Sequence, residues 1–383
     1  MSASPERRHA VAAEYVFDGE AIHDNAAVLI EGERIVGVLA RCDLPAAVPV
    51  ENMPDGSWLT PGFIDLQVNG GGDVLFNNDP TPEGVAAIAA AHRRFGTTAL
   101  LPTLITDRAE AMTAALAAAQ EALRRNPSVL GIHFEGPFLS PEKPGVHNLH
   151  AIRRPEPADL GILTGLRGGA TLVTLAPERA PDGFIAALSA AGVIVALGHS
   201  TATYAETQQA MAEGLTGFTH LFNAMRPLAS RDPGPIAAAL DSPDCWYGLI
   251  VDGEHVHPAV LRLALRGLGR PLLVTDAMPP VGGTRSAFSL YGEDMIVREG
   301  RCLRQDGTLA GAALDMASAV RNCVGLLNAS LPRALHMAAT APAAALGLGG
   351  MLGRLAPGYR ADLVALEPEG VHVFRTWVAG RAE

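Results

Sequence analysis

Lysine is almost absent from this sequence: Lys143 is the only lysine among 29 basic residues. A nucleotide-binding P-loop needs a lysine between glycine and serine or threonine, so the sequence contains no P-loop. Barrel sites that require a modified lysine on a strand are excluded as well. Lys143 lies in the stretch 141–145, whose two prolines and glycine are typical of a turn.

Cysteines and long apolar runs are also scarce. The four cysteines lack CxxC spacing, so they predict neither a disulfide framework nor a zinc knuckle: Cys42, Cys245, Cys302 and Cys323. No uncharged apolar run approaches the length of a membrane span, and no apolar stretch follows residues 1–8. We therefore expect no membrane segment, no signal peptide and a cytoplasmic location. The net charge of −11 argues against nucleic acid or an anionic membrane as a partner.

The sequence is rich in short apolar runs that alternate with alanine-rich stretches. The runs predict eight strands: Phe63–Val68, Thr98–Leu101, Val129–Phe134, Leu172–Leu175, Val193–Leu197, Phe218–His220, Trp246–Val251 and Leu272–Asp276. Most are separated by helical patterns: Pro82–Phe95, Arg108–Arg125, Asp182–Ala191, Thr203–Glu213 and Pro258–Leu268. Eight such units favour a (β/α)8 TIM-type barrel over a doubly wound α/β sheet. No GxGxxG follows an early strand, and residues 69–73 are typical of a flexible turn.

Both ends of the chain have a different pattern, with short alternating segments in residues 14–50 and 359–379. Neither end alone could bury one face of a sheet. We therefore predict a discontinuous β-sandwich domain from residues 1–59 and 348–383, with the barrel at 60–347 inserted between them. Residues 282–311 predict a hairpin-like flap near the site, and helices at 312–327 and 332–346 complete the barrel region.

Four polar residues stand at the ends of predicted strands: Glu135, His199, His220 and Asp276. Barrel enzymes carry their chemistry at the carboxyl ends of the strands. One glutamate and two histidines match a catalytic zinc site, whose fourth position stays open for water. Asp276 is then free to act as a base. This pattern predicts a metal-dependent hydrolase.

Several motifs extend the pattern along nearly the whole chain. They are Pro61-Gly62-Phe63-Ile64-Asp65, His133-Phe134-Glu135-Gly136-Pro137, Gly198-His199-Ser200, Thr219-His220-Leu221-Phe222-Asn223-Ala224-Met225 and Val274-Thr275-Asp276-Ala277. With them the chain resembles the amidohydrolase superfamily, and within it the N-acetylglucosamine-6-phosphate deacetylase family. The Glu-Gly-Pro and Asn-Ala-Met segments are the most specific part of the resemblance.

The resemblance implies a single divalent metal per subunit, bound by Glu135, His199 and His220. Many superfamily members build a second metal position from His-x-His after the first strand, where this chain has Gln67 and Asn69. Amides bind zinc weakly beside imidazole or carboxylate. Zn²⁺ is the expected metal, and Fe²⁺, Co²⁺, Mn²⁺ and Cd²⁺ are alternatives. Gln67 either orients water or substrate or packs at the barrel mouth.

The resemblance also implies which residues carry the reaction and bind the sugar phosphate. Asp276 is the expected general base, and His147 is expected to contact the sugar and support the acyl oxygen. The expected substrate contacts are Gln67, Val146, His147, Asn223, Ala224, Arg231, Asp252, His255, Leu309, Ala310 and Gly311. In the family the arginine that corresponds to Arg231 reaches the neighbouring subunit's site, which implies a homodimer. Arg226 is an alternative candidate for this role.

The implied reaction is hydrolysis of N-acetylglucosamine 6-phosphate to glucosamine 6-phosphate and acetate. An alternative is the same reaction on N-acetylgalactosamine 6-phosphate, which differs only at the C4 hydroxyl. The missing His-x-His and strand lysine weigh against a cyclic-amide hydrolase or a deaminase. A catalytically inactive binding protein on the same barrel would be expected to lose the ligands or the base, and the sequence retains all four residues.

Overall fold

The computed structural model describes residues 8–382, and the chain divides into two compact units. One contains residues up to Asp65, His92–Ala99 and the chain from Met316 onward; the other contains Leu66–Ala91 and Leu100–Asp315. The domain boundaries expected from sequence stay a prediction. Residues 1–7, on which the signal-peptide expectation rests in part, lie outside the described residues. None of the helices between residues 8 and 382 has the length and apolarity needed to cross a bilayer.

Eight parallel strands form the predicted barrel and follow one another in sequence order around the sheet. They are Phe63–Val68, Thr97–Ile105, Gly131–Glu135, Ala170–Leu175, Ile194–Leu197, Leu215–Phe218, Trp246–Leu249 and Arg270–Leu273. A parallel bridge between Val68 and Ala277 joins the first strand to the segment after the eighth. The α/β barrel is therefore confirmed, because the sheet closes on itself instead of ending in two open edges.

Helices follow the strands as the alanine-rich pattern predicts. They are Pro82–Arg93, Ala109–Arg125, Asp159–Leu163, Phe184–Ala190, Tyr204–Ala212, Gly234–Asp241 and Pro258–Ala264. In Ala109–Arg125 the buried residues recur at helical spacing: Met112, Ala115, Ala118, Ala119 and Ala122. The sequence pattern missed Asp159–Leu163 and Gly234–Asp241.

The polar stretch after the eighth strand is a four-stranded antiparallel sheet rather than a single hairpin. Its strands are Ala287–Leu290, Glu293–Arg298, Arg301–Leu303 and Leu309–Ala312. Residues 69–73, expected as a flexible turn, belong to a small hairpin of Gly70–Gly71 with Val74–Leu75. The carboxylate of Asp73 accepts hydrogen bonds from the Thr284 and Arg285 backbones, which tie this hairpin to the turn before the flap sheet.

Both ends of the chain contribute strands to the same sheet, which agrees with the predicted small β domain built from both termini. Its strands are Arg8–Phe17, Ile22–Glu31, Arg34–Ala40, Val50–Asn52, Trp58–Pro61, Leu363–Glu367, His372–Val378 and Arg381–Ala382. Alternate residues of the first strand enter different cores: Val11 and Ala13 pack in one cluster, and Ala10 and Ala12 in another. This period of two is what a strand buried on both faces requires.

The chain after the barrel contains the helices Met316–Leu327, Leu331–Ala338 and Thr340–Ala345. The sequence pattern predicted one helix over 332–346, and that prediction was wrong. Pro342 has no backbone N–H to donate to the carbonyl of Ala338, so an unbroken helix would lose this hydrogen bond, whereas in the first turn of Thr340–Ala345 the missing N–H is tolerated. The chain breaks at Ala339, whose backbone is not helical.

The sixth barrel strand, which leads to His220, packs against the seventh through a glycine. A Cβ added at Gly217 would lie 2.1 Å from the indole of Trp246. We predict that Gly217→Ala destabilises the protein by about 1–3 kcal/mol, the usual cost of overpacking a core. The same change at Gly325, in a helix and with open space around it, should stabilise by about 0.5–1 kcal/mol. Urea unfolding of both variants checks the prediction, and equal stabilities would contradict it.

Candidate active site

The four polar residues predicted at strand ends lie together at the carboxyl end of the barrel. Glu135 is the last residue of the third strand. His199, His220 and Asp276 lie two or three residues beyond their strands, in left-handed backbone with φ of 49°, 32° and 52°. Such φ values are uncommon for residues other than glycine and cluster at functional sites. The strand ends predicted at His220 and Asp276 were therefore wrong, because the chain turns before reaching them.

The three predicted metal ligands converge on one point. Glu135 Oε1 lies 2.9 Å from Nε2 of His220 and 3.2 Å from Nε2 of His199, and the two Nε2 atoms are 3.1 Å apart. A tetrahedral zinc with bonds of about 2.0–2.1 Å places its ligands about 3.3 Å apart. All three residues are at most 4% exposed. The residues present thus fit a small divalent cation, and their role as ligands stays a prediction.

The outer nitrogen of His199 supports this fit. His199 Nδ1 lies 2.8 Å from the carbonyl of Lys143, so it carries the proton and leaves the Nε2 lone pair facing the cluster. Within residues 8–382, His220 Nδ1 is buried without a hydrogen-bond partner. Burial by itself would raise the pKa of Glu135, but its side-chain contacts with His199 and His220 bring it well below its usual value. Glu135 is therefore ionised and ready to bind a cation.

Asp276 lies beside the cluster and has a different environment. Burial, with the nearby charge of Glu135, raises the pKa of Asp276 to about 6. Its Oδ1 accepts hydrogen bonds from Asn69 Nδ2 at 2.7 Å and from Gln67 Nε2 at 3.1 Å. A bound dication would lower this pKa again. Beside a bound dication Asp276 therefore stays ionised and can accept a proton, as a general base requires.

His147 is held in one tautomer by a residue that the sequence did not single out. The backbone N–H of Thr106 donates to Nδ1 of His147 at 3.3 Å, and the Thr106 hydroxyl lies 2.8 Å from the same atom. Nδ1 is therefore an acceptor, and the proton is on Nε2, 3.9 Å from Glu135 Oε1. Burial, and next the charge of His199, holds the pKa of His147 well below its usual value. This neutral imidazole can donate a hydrogen bond.

A cavity of about 390 Å³ opens over these groups, a size suited to a small ligand. Many predicted contacts line it: Val146, His147, Asn223, Ala224, His255, Leu309 and Gly311. Gln67, Ala310, Asp252 and Arg231 are not among its lining residues. Sequence reasoning missed several lining residues: Asn69, Ile105, Gly145, Ile250, Met278, Gly307 and Thr308. Gly307 and Thr308 belong to the expected flap. For Ile250 and Met278 the sequence offers no signal other than their positions near strand ends.

Two basic groups were expected to bind a phosphate, and the structure places them differently. His255 lines the cavity, and its Nδ1 lies 2.6 Å from Asp252 Oδ2. Burial would raise the pKa of Asp252, but the hydrogen bond from His255 and its charge lower it overall. Arg231 is exposed on the loop before Gly234–Asp241. The alternative, Arg226, is ion-paired to Asp232 at 2.6 Å and donates to the Thr201 carbonyl.

Comparisons with known proteins agree with this site. The amidohydrolase family matches residues 58–382. The chain is 44% identical to the N-acetylgalactosamine-6-phosphate deacetylase of Shewanella sp. over 84% of this chain and 82% of that protein. It is 35% identical to the N-acetylglucosamine-6-phosphate deacetylase of Haemophilus influenzae over 93% of this chain and 94% of that protein. The crystal structure of N-acetylglucosamine-6-phosphate deacetylase from Pasteurella multocida covers 98% of this chain and 99% of its own, with TM-score 0.94 and 36% identity.

The donor set predicts the metal content. After reconstitution, metal analysis should find about one equivalent per chain, because catalytic zinc uses three protein ligands and a water. His220→Ala should lose most of this metal, whereas His150→Ala, at an exposed histidine, should keep it. Two tightly bound ions, or full metal retention in His220→Ala, would contradict the prediction.

Proposed function

The chain belongs to the amidohydrolase family, and on this premise we propose that it hydrolyses N-acetylglucosamine 6-phosphate to glucosamine 6-phosphate and acetate. The observation that carries the proposal is the convergence of Glu135, His199 and His220 beside Asp276 in one cavity. Relatives with this named activity align over most of the chain. The proposal includes a cytoplasmic location, since a phosphorylated sugar does not cross a membrane unaided.

Glu135, His199 and His220 would hold the metal, for which we propose Zn²⁺. Two imidazoles and one carboxylate with an open fourth position are a donor set of catalytic zinc, and Fe²⁺, Co²⁺, Mn²⁺ and Cd²⁺ accept the same donors. When bound, such a metal polarises a carbonyl and makes water more acidic. The carbonyl of Lys143 keeps His199 in the tautomer that binds a cation.

Asp276 is the proposed general base. Its carboxylate takes a proton from the attacking water as the new C–O bond forms at the acetyl carbon. It then returns that proton to the sugar nitrogen as the C–N bond breaks, so the product leaves as an amine rather than an anion. His147, with its proton on Nε2, is positioned at the cavity wall to donate a hydrogen bond to the acyl oxygen as negative charge develops there.

The phosphate requires a local positive pocket in a protein of net charge −11. Asp252 holds His255 by Nδ1, and the ring lines the cavity, so His255 is the proposed phosphate contact. His220, Phe222 and Ala224 have positive φ while Asn223 between them does not. Such alternation forms anion-binding concavities in the backbone. The exposed Arg231 is proposed to complete the pocket of the neighbouring subunit in a homodimer.

One observation favours a second substrate. The Shewanella relative, at 44% identity, is named for N-acetylgalactosamine 6-phosphate, whereas the Haemophilus relative named for the gluco sugar is 35% identical. Acetate release from both phosphorylated sugars, measured side by side, decides between them. A higher kcat/KM for the gluco sugar is expected. A higher kcat/KM for N-acetylgalactosamine 6-phosphate would make that sugar the proposed substrate. Release of no acetate from either sugar would favour an inactive binding protein.

We predict that Asp276→Asn keeps the metal and the fold but loses most of the activity. An amide can neither accept nor return the proton, and general acid–base groups contribute roughly 10²–10⁴-fold. Acetate release by the folded, metal-loaded variant measures the loss. Near-normal turnover would mean that the base lies elsewhere.

Arg231→Ala should lower kcat/KM for the phosphorylated sugar by roughly one to two orders of magnitude, the value of a charged contact to phosphate. The loss should shrink for unphosphorylated N-acetylglucosamine, which has no charge to bind. Mixing Arg231→Ala chains with Asp276→Asn chains should partly restore activity, because one site of each hybrid dimer combines an intact Asp276 with the partner's intact arginine. Hybrids without restored activity would place Arg231 in its own subunit's site.

A further inference from the structure

Two buried amides approach the same oxygen of Asp276. Asn69 Nδ2 lies 2.7 Å and Gln67 Nε2 lies 3.1 Å from Oδ1. Gln67 Nε2 also lies 3.1 Å from Glu135 Oε2. Asn69 and Gln67 are at most 1% exposed, so both donors are buried. The three hydrogen bonds thus connect the proposed base with one proposed metal ligand.

The neighbouring carboxylates decide which way the Gln67 amide points. An ionised carboxylate only accepts hydrogen bonds, whereas an amide nitrogen has two hydrogens to donate. One hydrogen of Gln67 Nε2 serves Glu135 and the other serves Asp276, so the carboxamide cannot be reversed without placing its oxygen against a carboxylate. The orientation of the side chain follows from this network rather than from its shape.

The backbone on both sides of the contact is tied together. The N–H groups of Asn69 and Gly70 both donate to the carbonyl of Ala277 at 2.9 Å, and Val68 pairs with Ala277. On the other side, the N–H of Ala312 donates to the carbonyl of Asp276 at 2.9 Å. The amides and the carboxylate therefore stand on segments whose separation is set by backbone hydrogen bonds.

We propose that Gln67 and Asn69 are positioning residues, which hold Oδ1 of Asp276 so that Oδ2 is the atom that exchanges the proton. An Oδ1 that accepts two N–H bonds cannot carry a hydrogen directed at the same donors, so a proton taken from water resides on Oδ2. The amides also prevent the carboxylate from turning toward Glu135 and the metal cluster. This inference rests on the proposed function, in which Asp276 is the base.

The sharpest test is a double-mutant cycle between Asn69→Ala and Asp276→Asn. Loss of one hydrogen bond to a charged group should lower kcat by roughly 10- to 100-fold in the otherwise unchanged enzyme. KM and metal content should stay within about threefold, because ground-state binding is untouched. In the Asp276→Asn background the same change should lower the residual rate by less than about threefold, because the group it positions is gone.

Asn78→Ala is the matched control, since Asn78 is an exposed asparagine whose amide donates one hydrogen bond to the Ser289 carbonyl. It should leave kcat unchanged. An equal loss from Asn69→Ala in both backgrounds, or no loss in either, would overturn the inference. If Asn69→Ala does not fold, Gln67→Leu with measured metal content enters the same cycle.

A crystal structure of metal-loaded Asn69→Ala tests the inference without a measurement of activity. The carboxyl group of Asp276 should rotate away from its position in the unchanged protein, and an unmoved carboxyl would overturn the inference. Failure of the proposed function would give a different experimental result. In that case the unchanged enzyme releases no acetate from either phosphorylated sugar, or Asp276→Asn retains normal turnover, whatever position the carboxyl takes.

Discussion

A buried carboxylate and two imidazoles with donor atoms 2.9–3.2 Å apart form a stable arrangement only when positive charge lies among them. This need for positive charge determines how the side chains at the carboxyl end of the barrel are arranged. Glu135 is the last residue of the third strand. His199 and His220 lie just beyond their strands, and their own left-handed backbone conformations turn them inward. These turns are held by the strands that precede them and by backbone hydrogen bonds beyond them: the N–H of Ser140 donates to the carbonyl of His199, and the N–H of Asn223 donates to that of His220.

The same cluster gives Asp276 its properties. Burial beside the charge of Glu135 raises the pKa of Asp276 and makes the carboxyl reluctant to ionise, while a bound dication would counter that effect. Hydrogen bonds from Gln67 and Asn69 keep the carboxyl group close to the cluster without making it a ligand. One environment thus assigns different roles to two neighbouring acids: Glu135 stays ionised, and Asp276 is able to exchange a proton.

The two imidazoles that face the cavity outside the cluster also differ in what holds them. Thr106 donates to Nδ1 of His147, which leaves a neutral ring with its proton on Nε2. Asp252 accepts a hydrogen bond from Nδ1 of His255. A neutral donor suits a developing oxyanion, and the ring held by Asp252 is the proposed partner of the phosphate. Residues behind the cavity wall therefore distinguish the acyl end of the proposed site from the phosphate end.

The sequence by itself determined the barrel, the contribution of both termini to one β domain, the three residues of the cluster and Asp276 beside it. These features depend on local patterns: apolar runs of strand length, helical spacing between them and a polar residue after each run. It could not determine the left-handed turns at His199, His220 and Asp276, the break at Ala339, or the partners Thr106 and Asn69. Tertiary structure decided these, because hydrogen-bond partners and backbone turns depend on segments far apart in sequence, such as Asn69 and Ala277, that meet only when the barrel closes.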